Sequence, residues 1–257
     1  MKLTVLGTQS PIASVGHHGP GFMVQSGDNT IILDCGTHSL VDFARCMNNL
    51  HIFISHLHCD HYSDIFAYQY GSTAYRNLGL LTNPINIYLP ESPAKDADFI
   101  MNHDNLQFTN YNSIGEDKTY KIGDMTVSFC KTTHPVETYA MKVSDGDKTI
   151  VYTADTNFAS GEKLAGFAKN ADILICESSL LEEYNSPAIS SHLTAKQAGQ
   201  LANMAGANTL LLTHFWHNES LENYKAEAEK EFANVICATE GKVFDLPKRK
   251  ISLQRGM

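Results

Sequence analysis

Residues Ser55 to Asp64 read S-H-L-H-C-D-H-Y-S-D, and within them His56, His58, Asp60 and His61 stand at the spacing H-x-H-x-D-H. The motif directly follows the apolar run Ile52-Phe53-Ile54. A brief β-rich run of this kind predicts a buried strand that stops where the histidines begin, so the motif is expected on a strand-end loop. Imidazole nitrogen and carboxylate oxygen are ligands for zinc and similar divalent ions, and residues two apart in an extended turn point the same way. His56 and His58 can therefore share one ion. Asp60 and His61, displaced along the loop, can hold a second ion roughly 3.5–4 Å from the first. The competing reading is a polar loop whose histidines cap a helix or face solvent. Four ligand-type residues within six positions are far more specific than one histidine.

Outward from this stretch, three more ligand-type residues fall where apolar strands run out. His134 follows Lys131-Thr132-Thr133, Asp155 follows Ile150-Val151-Tyr152-Thr153, and His214 follows Leu210-Leu211-Leu212-Thr213. Each alone reads as a turn or cap residue. Together they form the pattern of a site along one rim of a sheet. Asp34, at the end of the strand Thr30 to Asp34, is either an acceptor that fixes the tautomer of a ligand imidazole or a turn residue. His17 and His18 lie in the glycine-rich loop Gly16 to Gly21, suited to close approach over a site. His38, His51 and His103 carry no partner pattern and read as structural. Phe215, Trp216 and His217 follow His214 and either line a pocket, where an aromatic ring can stack on a base or sugar, or pack between the halves.

The remaining chain supplies a frame for such a rim. With 257 residues, 43% of them hydrophobic and 18% charged, it can bury the core of one α/β domain, expected to span 1–257. Strand Lys2 to Leu6 and a hairpin across Ser26 to Asn29 come first. Helix Ile65 to Tyr75 follows, with Tyr68 and Tyr75 as core or pocket-rim residues, then strand Ile85 to Leu89 and helix Ala97 to Met101. Strands Thr119 to Ile122, Met125 to Lys131, Tyr139 to Val143 and Thr149 to Thr153 run in succession, and after them helices alternate with strands Ile173 to Cys176, Leu210 to Thr213 and Val235 to Ala238. Two mixed α/β halves with sheets between helical layers result. The net charge of −9 disfavours a nucleic-acid partner unless basic residues cluster, as in Lys248-Arg249-Lys250, a run that is more ordinarily a solvated tail. The six cysteines show no C-x-x-C pair, which predicts reduced thiols and a cytoplasmic protein. No stretch approaches the ~20 apolar residues of a membrane span.

In order, His56, His58, Asp60, His61, His134, Asp155 and His214 match the seven-ligand pattern of the metallo-β-lactamase superfamily. The chain resembles that family from M-K-L-T-V-L-G-T and L-D-C-G through to T-H-F. The resemblance implies a four-layer αββα sandwich with its metals at the rim between two sheets. It implies His56, His58 and His134 on a first ion, Asp60, His61 and His214 on a second, and Asp155 bridging. Two Zn2+ ions are expected, and this ligand set also admits Mn2+ or Fe2+. Ile175-Cys176-Glu177-Ser178 and Ser191-His192-Leu193-Thr194-Ala195-Lys196-Gln197-Ala198 resemble segments of the ribonuclease Z group of phosphodiesterases. By that resemblance the catalytic side chains are Asp60, His192 and Glu177, with His192 giving a proton to the leaving oxygen and Glu177 orienting it. Independently, Ser190 or Ser191 and Thr194 are N-cap candidates for a helix from Ala195 to Met204.

One departure narrows the branch. Ribonuclease Z carries a long insertion between its third-motif histidine and bridging aspartate, an arm that grips transfer RNA. Here only two strands and an S-D-G-D turn separate His134 from Asp155. The chain resembles short, armless relatives, and the family resemblance implies a homodimer. The expected function is a dinuclear zinc phosphodiesterase acting on a small phosphodiester or nucleotide through a metal-bridging hydroxide, because paired cations lower the pKa of water and neutralise phosphoryl oxygens. The alternatives are a ribonuclease Z-type tRNA 3′-processing endonuclease, with RNA disfavoured as substrate, and a lactone or thioester hydrolase. A diiron redox protein would carry glutamate in place of His58, and a binding module would show degraded ligands.

Overall fold

The computed structural model describes residues 1–39, 41, 43–103, 108–186 and 191–248. The chain opens with β1 (Lys2–Gly7), β2 (Gly21–Ser26) and β3 (Asn29–Cys35). β2 and β3 form the expected hairpin, turning through Gly27 at φ 55°, a left-handed position that glycine fills without strain. There follow α1 (Phe43–Cys46), β4 (Leu50–Phe53), α2 (Cys59–Tyr62), α3 (Ile65–Asn77), β5 (Ile85–Leu89), α4 (Ala94–Asn102) and β6 (Thr109–Ser113). The second half comprises β7 (Thr119–Ile122), β8 (Met125–Lys131), β9 (Tyr139–Ser144), β10 (Thr149–Tyr152), α5 (Gly161–Phe167), β11 (Ile173–Glu177), α6 (Ala195–Ala205), β12 (Leu210–Thr213), α7 (Leu221–Ala228) and β13 (Val235–Cys237). A last strand, β14 (Val243–Asp245), returns to the first sheet beside β1.

Two seven-stranded sheets result, in the orders β14-β1-β2-β3-β4-β5-β6 and β13-β12-β11-β10-β9-β8-β7. Period-two alternation sorts their side chains into layers. Val5, Ile31, Leu33 and Phe53 of the first sheet meet Val127, Met141, Ile150, Tyr152, Ile175 and Leu211 of the second in one buried cluster. On the far side of the first sheet, Ile32, Ile52 and Ile87 pack against Ile65 and Tyr68 of α3 and Ile100 of α4. On the far side of the second, Val151, Leu174 and Leu212 pack against Leu164 of α5, Leu201 of α6 and Tyr224 of α7. Each such side chain contributes about 1.5–3 kcal/mol of burial. The arrangement is the expected four-layer αββα sandwich. The strands buried on both faces, such as β11 and β12, are those that read as unbroken apolar runs.

The topology decides where the ligand-type residues go. β10, β11 and β12 are mutually parallel. β8 is antiparallel to β9, which is antiparallel to β10, so β8 ends on the same rim. β3 and β4 are parallel in the first sheet. Between His134 and Asp155 the chain makes only the β9–β10 hairpin, with no arm. Several elements differ from the sequence reading. α4 begins at Ala94, three residues early, and β6, α5, α7 and β14 went unlocated. Of its two readings Tyr68 takes the core one: it is 2% exposed and its hydroxyl accepts from Val41 N at 3.1 Å. Ser190, Arg249 and Lys250 lie outside the described residues.

Candidate metal centre

All seven ligand-type residues converge at the rim. His56 and His58 leave the end of β4 in extended chain, whereas Asp60 and His61 lie in the single helical turn of α2 rather than in loop. That turn swings Asp60 and His61 away from the first pair. His134 follows β8, Asp155 follows β10 and His214 follows β12. The turns that present them are strained: Ala154 has φ 52°, His214 has φ 67° and Asp34 has φ 58°, left-handed values costly for residues with a Cβ. Thr132 Oγ1 donates to the Asp155 carbonyl at 2.8 Å and so ties the ends of β8 and β10 together.

The donor atoms form two groups that share one carboxylate. His56 Nε2, His58 Nδ1 and His134 Nε2 surround Asp155 Oδ2, with His58 Nδ1 3.1 Å from each of the other two nitrogens, and His56 and His134 each 3.7 Å from the oxygen. His61 Nε2 and His214 Nε2 lie 3.1 Å apart, at 3.4 and 3.1 Å from Asp155 Oδ1 and at 3.6 and 3.9 Å from Asp60 Oδ2. Ligand atoms 2.0–2.1 Å from a tetrahedral zinc lie about 3.3 Å from one another, so both groups have the spacing of a coordination shell.

Hydrogen bonds on the outer side of each ring assign its tautomer. His61 Nδ1–H donates to Asp34 Oδ2 at 2.7 Å, and His134 Nδ1–H to the Ser191 carbonyl at 3.2 Å. Ser55 Oγ–H donates to Asp34 Oδ2 at 2.7 Å, so its oxygen accepts from His56 Nδ1–H at 2.9 Å. Ser179 Oγ–H donates to Glu177 Oε2 at 2.8 Å, and its oxygen accepts from His214 Nδ1–H at 2.7 Å. Four rings thus turn an unprotonated Nε2 inward. Asp155 Oδ1 is buried among them with no hydrogen-bond partner among the described residues. Lone pairs facing one another are unfavourable until positive charge lies between them, so the residues present fit divalent ions.

The electrostatics agree. Burial pushes the pKa of His56 well below its ordinary value and lowers those of His58, His134 and His214, keeping these imidazoles neutral. Burial also acts against charge on Asp155, but His214, His61 and His56 outweigh it and hold the carboxyl well below its usual range. His61 is the exception: burial is outweighed by Asp155, Asp60 and Asp34, which push its pKa well above the ordinary value. Without an ion this ring takes up the positive charge that the carboxylates call for, and it turns an unprotonated Nε2 inward only where a metal cation replaces that proton.

Beside the centre, His192 Nδ1 lies 3.0 Å from Glu177 Oε1. Glu177 is fully buried and also accepts from Thr156 N at 2.7 Å. His192 is placed by α6, whose N-cap Thr194 and Gln197 form a reciprocal capping box contributing about 1 kcal/mol, and by the bridge between Leu180 and Thr194. The N-cap is therefore Thr194, not Ser191. Burial disfavours a charged His192, but Glu177 outweighs it and pushes the pKa up to about 9. A cavity of about 270 Å3 is lined by His192, His58, Asp60, Asp155, His214 and Trp216.

Several residues take other places. His17 Nδ1 pairs with Glu240 at 3.2 Å and His18 Nδ1 with the Leu6 carbonyl at 2.8 Å, and neither lines this cavity. Phe215 is buried core, and Trp216 reaches the cavity wall. Lys248 pairs with Asp124 at 3.2 Å. Sequence reasoning missed Ser55, Ser179 and Ser10, whose hydroxyl donates to Asp60 Oδ2 at 2.7 Å. Ser55 and Ser179 carry one weak signal, a place within two residues of a strand-end ligand or carboxylate.

A family model for the beta-lactamase superfamily domain matches residues 29–215, which include every one of these donors. The chain belongs to the metallo-β-lactamase superfamily. Within it, the probable metallo-hydrolase YhfI of Bacillus subtilis is 32% identical over 251 residues, covering 95% of this chain and all of that protein. The crystal structure of YhfI superposes with a TM-score of 0.86 at 31% identity, covering 95% of this chain and 98% of that one. Ribonuclease Z of Archaeoglobus fulgidus is 27% identical, covering 93% of this chain and 95% of that protein. That alignment runs to 296 positions, more than the whole of this chain, so the ribonuclease carries insertions absent here. The short form of human tRNase Z shares the fold, with a TM-score of 0.71 at 19% identity over 96% of this chain and all of that one. Family, fold and donor set make this superfamily member a metal-dependent hydrolase.

Proposed function

We propose that this chain is a dinuclear zinc phosphodiesterase that cleaves a small phosphodiester or nucleotide. His56, His58 and His134 would hold one ion, Asp60, His61 and His214 the other, and Asp155 both. When bound, two such ions supply Lewis-acid stabilisation of phosphoryl oxygens and activation of water. The chain's own residues do the rest. Ser10 fixes Asp60, Asp34 fixes His61, and the serine relays fix His56 and His214. Glu177 holds the Nδ1–H of His192, which leaves the other ring nitrogen to give a proton to the departing alkoxide, a contribution of ~10²–10⁴ in rate.

The observation that carries this reading is His192, on the wall of the cavity that members of both donor groups line, held at 3.0 Å by the buried Glu177 behind it. A longer RNA substrate is disfavoured by the net charge of −9 and by the short β9–β10 hairpin. All six cysteines are free thiols, which supports a cytoplasmic setting, and the likeness to ribonuclease Z supports a homodimer, checked by sedimentation. Metal analysis of the purified protein, run beside assays on a chromogenic phosphodiester, a cyclic nucleotide, a lactone and a tRNA precursor, tests the proposal. Two zinc equivalents and preference for a phosphodiester are expected; manganese or iron would change the metal only, and turnover confined to the lactone would sink it. His192→Ala lowers phosphodiester kcat by ~10²–10⁴ with metal content unchanged. Loss of metal instead would show that His192 is a ligand and not a proton donor.

A further inference from the structure

A second cavity of about 290 Å3 adjoins the first and shares Ser179, Leu180 and Trp216 with it. Tyr184 and Tyr224 complete its mainly apolar walls, and Asn218 stands among its polar lining residues. Trp216 and Tyr184 are 48% and 51% exposed, an unusual outlay of aromatic surface to water beside a catalytic cavity. The wall is held in place from behind. Tyr224 OH accepts from Trp216 N at 3.3 Å and donates to the Ser179 carbonyl at 3.2 Å, and its ring packs on Phe215 with centroids 4.9 Å apart. Phe215 is itself pinned by backbone bonds to Thr8 and Ser10. The backbone that carries Trp216 is therefore held in place before binding, which reduces the entropy lost when a ligand docks.

We propose that this cavity is a nucleobase subsite, which takes the base of the nucleoside whose oxygen leaves; the proposal rests on the phosphodiesterase reading above. Three features select that ligand. The volume lies at the lower edge of the roughly 300–1,000 Å3 of small-molecule pockets, room for one ring system and not for a polymer. Exposed tryptophan and tyrosine rings offer π-faces, on which every base can stack. The Asn218 amide offers both a donor and an acceptor to a base edge. The position assigns the base to the leaving side, because Ser179, shared by both cavities, donates to the same Glu177 that holds His192. In the reaction water supplies a new oxygen to phosphorus, the bond from phosphorus to the nucleoside oxygen breaks, and that oxygen takes its proton from His192.

The test uses the metal-replete protein and two diesters that differ only in the base: adenosine 5′-(ethyl phosphate) and the matching 1-O-methylriboside 5′-(ethyl phosphate). The expected result is a preference for the adenosine diester of about tenfold to a hundredfold in kcat/KM, with adenosine and ethyl phosphate as products. Trp216→Ala draws that preference toward unity, mainly through KM, and Trp216→Phe keeps most of it. Equal rates on the two diesters, AMP and ethanol as products, or a Trp216→Ala variant that slows both alike would each overturn the proposal. Trp216 is the single tryptophan of the chain and lines both cavities, so its fluorescence reports on ligand in either without any turnover, and a base-specific signal is read as quenching by adenosine that 1-O-methylriboside does not produce. Adenosine alone should quench it saturably, and absence of quenching overturns the base subsite. Saturable quenching without hydrolysis of either diester would keep the subsite and remove the phosphodiesterase reading, whereas equal hydrolysis without quenching would do the reverse.

Discussion

Asp34 and Glu177 are both fully buried carboxylates at strand ends, and each passes a serine hydroxyl on to an imidazole of the metal centre. They sit on opposite sheets and finish differently. Asp34 accepts from Ser55 N, Ser55 Oγ, His61 and Tyr152 OH, at 2.7–2.9 Å, donors that are all themselves buried. Glu177 accepts from Thr156 and Ser179 within the fold, but its remaining partner, His192, keeps a side chain 25% exposed toward the cavity. The same carboxylate–serine–histidine unit is sealed in one half and open in the other. A sealed network serves geometry alone, and an open one can also serve chemistry.

The largest effect should come from breaking the sealed side. Asp34→Ala strands four buried donors, which costs about 3–5 kcal/mol, and removes the groups that set the tautomers of His56 and His61. Thermal unfolding should shift down by on the order of 10 °C, with metal lost in the same samples. Retained metal with lost activity would show that Asp34 acts in the chemistry. On the open side, Glu177→Gln should lower kcat on the order of 10², leaving KM and metal content near wild type. If metal content falls as it does for Asp34, the two networks are equivalent and the comparison fails. Ser179→Ala, which cuts the link from Glu177 to His214, is expected to weaken metal binding at one site about tenfold, measured by competition with a chromogenic chelator. A change confined to kcat would move Ser179 wholly to the catalytic side.

The smallest effect concerns a histidine in neither network. His51 stacks on Tyr88 and meets its hydroxyl at 3.1 Å, and burial alone lowers its pKa to about 4. The unfolded chain, with a histidine pKa near ~6.5, binds the proton more readily, so stability falls as pH drops from about 6.5 toward 4. His51→Gln should flatten part of that decline in urea titrations. An unchanged slope would mean that the acid sensitivity belongs to the carboxylate-linked rings instead.

The seven candidate ligands were legible because imidazole and carboxylate are scarce residue types and stand at the ends of apolar runs, where one sheet rim collects them. The layered architecture followed from the same runs. Four-residue α2 is too short to show a period, so the turn that separates Asp60 and His61 from His56 and His58 stayed hidden. β6, reading T-N-Y-N-S, is a polar edge strand, and β14 has three residues, so neither carries an apolar pattern. Asp34 had two equal readings until geometry put it 2.7 Å from His61. Serine hydroxyls are too common for Ser55 and Ser179 to have been singled out: their roles depend on a direction, which sequence does not encode locally.

The centre draws His56, His58, Asp60 and His61 from one sheet and His134, Asp155 and His214 from the other. Bound ions would thus rivet the two halves of the sandwich, and loading them would be linked to folding by mass action. The converse also holds. Any loosening of the apolar seam between the sheets, even at Leu33 or Ile175, would be felt at the rim as a weaker grip on the cations.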